Sequence, residues 1–206
     1  MIKKPLFTAE EFQVAFGALT SLRSWLDAPL IFDKTKIPAR TPPVAIDNFP
    51  LMPSLQGQLT LLDQRFPDDG NLEQRSAALL KVRQYFPDDQ KAEFFVELNL
   101  AEIAWNQDRT QPAIDRLLKL LNSAASDAVD DEEIAWAEYV LAFCYRDMGN
   151  LDKAKQLFKE VAENAEVSDF RRGWAGYQRL SLLKGEEDPD YGKLAAETNA
   201  LLDFET

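Results

Sequence analysis

The chain has no histidine and a single cysteine, Cys144, among its 206 residues. Without an imidazole there is no Ser-His-Asp or Cys-His nucleophile pair and no histidine-bearing zinc site, because both need that ring's near-neutral pKa or nitrogen lone pair. One thiol excludes an internal disulfide and any CxxC device, which fits a reducing compartment. Glycine is scarce, at eight residues, and forms neither GxxxxGK[ST] nor GxGxxG. Gly173-Trp174-Ala175-Gly176 is too short and follows no strand, so a nucleotide cradle has no support. Long apolar runs are missing too, and Lys3 and Lys4 lead into Pro5, Glu10 and Glu11 rather than into a signal-peptide core. The expectation is a cytoplasmic protein without cofactor, metal site or membrane partner.

Positive charge is also in short supply: 23 Lys and Arg stand against 35 Asp and Glu, for a net charge of −12. The first sixty residues hold six basic and five acidic side chains, leaving 17 basic and 30 acidic ones beyond them. That later region should repel nucleic acid. With 46 % hydrophobic and 28 % charged residues the composition is nevertheless that of a folded chain.

Proline, in contrast, is concentrated. Residues 8–26 read as a helix, opened by the capping box Thr8 and Glu11 and carrying Phe12, Phe16, Leu19, Leu22 and Leu26 on one face. Residues 28–53 then hold Pro29, Pro38, Pro42, Pro43, Pro50 and Pro53, which block helix continuation and central-strand pairing. This is an extended arm, and its Phe32, Val44, Ile46, Phe49 and Leu51 should lie against something. Helical patterns follow over about 54–65, 71–85, 91–107, 111–124, 132–148, 151–165, 169–184 and 190–203. The acidic groups Asp68-Asp69, Asp88-Asp89 and Asp130-Asp131-Glu132-Glu133 each precede one of them, where carboxylates cap free N–H groups and suit the helix dipole. The division expected is 1–53, a helix plus arm, and 54–206, a helical domain.

The helical domain repeats itself. ELNLAEIAW (97–105) overlays EYVLAFCYR (138–146) at an offset of 41, as does PAIDRLLKL (112–120) on KAKQLFKEV (153–161). A third copy, GWAGYQRLSLLKG (173–185), overlays at 36. Within the second copy Leu141, Ala142 and Tyr145 mark a first helix, Gly149-Asn150-Leu151-Asp152 a turn, and Ala154, Phe158 and Val161 a second helix. The alanines let the helices approach, Tyr145 and Phe158 fill the space between them, and Gly149 takes the positive φ of the stop. Over about residues 91–203 this resembles the tetratricopeptide repeat, a 34-residue antiparallel helix pair. The fold expected is therefore all-α, an array of antiparallel helix pairs preceded by the N-terminal helix and arm.

The resemblance implies a groove lined by the first helix of each pair. Carried over residue by residue, it consists of Phe95, Leu98, Glu102 and Trp105, then Trp136, Tyr139, Phe143 and Arg146, then Arg172 and Arg179, with Ala175 and Leu182 beside them. Aromatics at helical spacing are equally the mark of a core, so both readings of this set stay open. Helix 132–148 is apolar nearly all round and should be buried all round. Cys144 lies inside that run as an inert thiol.

The function expected is that of a non-enzymatic adaptor or chaperone-like protein holding a peptide or helix of another protein in this groove. A second expectation is an acidic inhibitor or immunity-type protein that caps a basic partner with its charged surface. A third is a homo-oligomer exchanging residues 28–53.

Overall fold

The computed structural model describes residues 46, 49–67, 70–183 and 191–202, and the regular elements among them are all helical. In chain order they are α1 Leu55–Arg65, α2 Leu72–Tyr85, α3 Gln90–Asn106, α4 Thr110–Leu121, α5 Asp131–Asp147, α6 Leu151–Glu163, α7 Asp169–Leu183 and α8 Tyr191–Leu202, with one 3-10 turn at Ser126–Ala128. Each helix from residue 54 onward falls within three residues of its expected bounds. The helix expected at 8–26, the arm as far as residue 45, and the Asp68-Asp69 cap lie outside the described residues.

The chain divides into two compact units, residues 1–81 and 82–206. The boundary falls inside α2. In the first unit, the end of the arm is packed. Phe49, 2 % exposed, meets Phe66 edge to face at 5.5 Å. Lys81 Nζ donates to the Ile46 carbonyl at 2.8 Å. Pro50 and Pro53 keep this segment out of any regular ladder, so a buried side chain satisfies its backbone instead: Gln58 accepts from the Met52 N–H (2.7 Å) and donates to the Pro50 carbonyl (3.2 Å). Arg75, also buried, closes the α1–α2 turn by donating to the Phe66 carbonyl and to Asp63.

The second unit is a succession of helix pairs. Helix α3 packs on α4, α4 on α5, α5 on α6, α6 on α7 and α7 on α8, and α3 also touches α5. The repeat is plainest in the caps. Asp89 Oδ1 accepts from the Ala92 N–H at 3.0 Å and Asp130 Oδ1 from the Glu133 N–H at 3.2 Å, 41 positions later. At the other ends Asp108 (φ 59°) and Gly149 (φ 76°), again 41 apart, both take the left-handed conformation. Each is followed by the same closing bond, Arg109 N–H to the Ala104 carbonyl (2.9 Å) and Asn150 N–H to the Tyr145 carbonyl (2.8 Å). Asn150 then caps α6 through the Lys153 N–H. Ser168 Oγ accepts from the Arg171 N–H where α7 begins, which places the third copy 38 residues after the second instead of 36. At that spacing Trp174 and Tyr177 fall on Trp136 and Tyr139.

Close approach explains the packing. Ala101, Ala104, Ala113 and Ala137 bring α3, α4 and α5 together around Phe94, Leu98, Ile114, Leu117, Leu120, Val140, Leu141 and Cys144. Burying each large side chain of that set contributes about 1.5–3 kcal/mol. Ala142, Ala154, Phe158 and Val161 are buried as the repeat pattern requires. Between α7 and α8 the small residue is glycine: a Cβ at Gly176 would stand 2.5 Å from Thr198 Oγ1.

The helix stops offer a clean test, because a Cβ at Gly149 meets no atom within 4 Å and only the backbone conformation resists it. Gly149→Ala should lower stability by about 1 kcal/mol, and Asp108→Gly should raise it by roughly 0.5 kcal/mol after the entropy lost to glycine. Urea unfolding midpoints decide it; an unchanged midpoint for Gly149→Ala would overturn the assignment of a shared left-handed stop.

Candidate functional site

Helices α3, α5 and α7 are the first helices of three successive pairs, and the side chains joining them define the candidate face. Two indole N–H groups bridge α3 and α5. Trp136 Nε1 donates to Glu102 Oε1 and Trp105 Nε1 to Asp147 Oδ2, both at 2.8 Å. Trp105 stacks on Phe143 (centroids 5.6 Å, 22°) and Trp136 on Tyr139 (5.6 Å, 22°). Charge joins α5 to α7: the Arg171 guanidinium lies 4.8 Å over the Trp136 ring and its Nε donates to Glu132 Oε1 at 2.7 Å. Glu132 accepts in addition from the Ser168 N–H (2.9 Å) and hydroxyl (3.0 Å).

The residues singled out by the sequence fall into three groups. Phe95, Glu102, Trp105, Trp136 and Arg146 are half-buried on α3 and α5. Lys91 Nζ stands 5.8 Å from the Phe95 ring, and Arg146 lies 4.6 Å over Phe143 while bonding Asp147. Leu98, Tyr139 and Phe143, by contrast, are 3 %, 3 % and 2 % exposed. Leu98 belongs to the α3–α4–α5 core, and Tyr139 and Phe143 close edge to face on Phe158 of α6 at 5.4 and 5.2 Å, so their rings are interior packing surfaces.

Arg172 and Arg179 make up the third group and turn toward α6. Arg172 donates to the Ala162 carbonyl (3.2 Å) and to Asp169 (3.0 Å), and Arg179 pairs with Glu163 at 3.8 Å. The overlay at 36 equated Arg172 with Trp136 and Arg179 with Phe143, whereas the caps set the register at 38. The arginine that meets α5 is Arg171, one position away and about 100° round the helix. Glu132, expected as a helix-capping carboxylate, and Asp147 are not placed on this face by the sequence pattern. The signal that finds them is repeat register: a carboxylate must stand where the neighbouring copy brings an indole or guanidinium.

The electrostatics follow the same contacts. Burial raises the Glu132 carboxyl, but the Ser168 N–H, the Arg171 guanidinium and the Ser168 hydroxyl outweigh it and hold the group below its ordinary 4.5. Glu138, on the same helix, is pushed the other way by burial and by the charges of Glu160 and Asp131. The Cys144 thiol is pushed up to about 12, by burial first and then by Asp147, and the residue is fully buried. An open hollow is lined by Phe86, Pro87, Asp88, Asp89, Gln90, Lys91 and Ala128. Among the described residues, no three Cys, Asp or Glu gather as a metal site, and no helix is long and apolar enough to cross a membrane. No family model, curated protein or solved structure matches the chain.

Opposite pH signatures are expected from the two glutamates. The lowered Glu132 group stabilises the fold above pH 4.5, and that contribution is lost as pH falls through its folded pKa; Glu132→Gln should cost about 1 kcal/mol at pH 7 and progressively less in acid. The raised Glu138 group opposes folding while ionised, so Glu138→Gln should raise the midpoint at pH 7, the gain vanishing as the pH drops below 4.5. Urea titrations at pH 7 and pH 4 check both signs. Cys144 should react with iodoacetamide at pH 8 only after unfolding; rapid labelling of the native chain would contradict its burial.

Proposed function

We propose that the second unit is a tetratricopeptide-type array and that the protein is a non-enzymatic, cytoplasmic adaptor or chaperone-like protein, holding an extended segment or helix of another protein on the shared face of α3, α5 and α7. The observation that carries this reading is the row of half-buried Trp105, Trp136 and Arg171, each locked to a carboxylate on a neighbouring first helix. Large rings already fixed in one rotamer lose little entropy on contact with a partner, which is what makes tryptophan and arginine effective anchors. The working set is then Phe95, Glu102, Trp105, Trp136, Arg146 and Arg171, with Tyr139 and Phe143 supporting it from beneath.

A second reading is favoured by a different feature of the same helices. Arg146, Arg171, Arg172 and Arg179 are all paired with carboxylates, so they add no net positive potential, while acidic side chains such as Asp88, Asp127 and Glu166 make no ion pair among the described residues. An acidic inhibitor or immunity-type protein that meets a basic partner would use that surface.

Affinity capture with the full chain, followed by equilibrium titration of the captured protein, separates the two. Under the first reading Trp105→Ala and Trp136→Ala each weaken binding by about 30-fold or more, equivalent to about 2 kcal/mol, while Trp136→Phe, which keeps a ring, loses less. Circular dichroism of each variant verifies that the helices are intact. Unchanged affinity in both alanine variants would overturn this reading; a steep fall in affinity between low and physiological salt, with the tryptophans irrelevant, would favour the acidic surface.

A further inference from the structure

No further inference is drawn: the strongest candidate, the aromatic ladder of Phe170, Trp174 and Tyr177 along α7, is an apolar helix face for which nothing among the described residues shows what covers it.

Discussion

Six consecutive residues of α5, from Tyr139 to Cys144, are buried. Six residues exceed a full helical turn, so this helix has no solvent side at its middle and must be enclosed by neighbours in every direction. The second unit is organised around that requirement. Val140, Leu141 and Cys144 go to the α3–α4 core, Tyr139 and Phe143 to Phe158 of α6, and the Trp136 ring to Arg171 of α7. The small residues around α5 follow from the same demand. Ala137 and Ala142 are fully buried on it and Ala113 and Ala154 on α4 and α6, because a central helix can touch so many others only where side chains do not hold the backbones apart.

Placing tryptophans at the rim of such a helix creates a polar obligation. An indole N–H withdrawn from water has to find an acceptor, and a carboxylate is the strongest one available. Glu102 and Asp147 supply it from opposite sides of the α3–α5 joint, since Glu102 lies on α3 and receives from α5 while Asp147 lies on α5 and receives from α3. The two bonds therefore fix both the spacing and the sliding of one helix along the other. Arg171 extends this line to α7, so Glu102, Trp136, Arg171, Glu132 and Ser168 form a continuous path across three first helices.

Helix positions were legible in the sequence because their causes are local. Asp89 and Asp130 cap as their placement before apolar runs indicates, and Gly149 adopts the positive φ that glycine permits. The offset of 41 could be read for the same reason, being carried by caps and core alanines together. The third copy was harder: its side chains overlay at 36 and its cap stands at 38, and a difference of two residues turns a helix face by about 160°. The overlay at 36 therefore puts Arg172 and Arg179 on a face that Arg171 occupies. Nor could spacing alone say whether Tyr139 and Phe143 line a groove or a core, since the same helical period serves both; the position of Phe158 in space decides it. At Asp108 the local signal is weaker, because aspartate takes the left-handed conformation that the repeat imposes there less readily than glycine does.

The two joints of the candidate face differ in kind, and that difference bears on how it could work. Between α3 and α5 the contacts are the Trp105–Phe143 stack and two indole bonds to carboxylates, the Trp136–Glu102 bond part-buried and the Trp105–Asp147 bond exposed. Between α5 and α7 a single carboxylate, Glu132, gathers a guanidinium, a backbone N–H and a hydroxyl, and it is partly exposed, so water and salt compete with it. A segment lying across all three helices would thus rest on one joint set by packing and another set by charge. Strain from binding at the second would lengthen the Arg171–Glu132 contact at the cost of a partly screened ion pair, whereas opening the first parts Trp105 from Phe143 and takes the part-buried Trp136 N–H from Glu102.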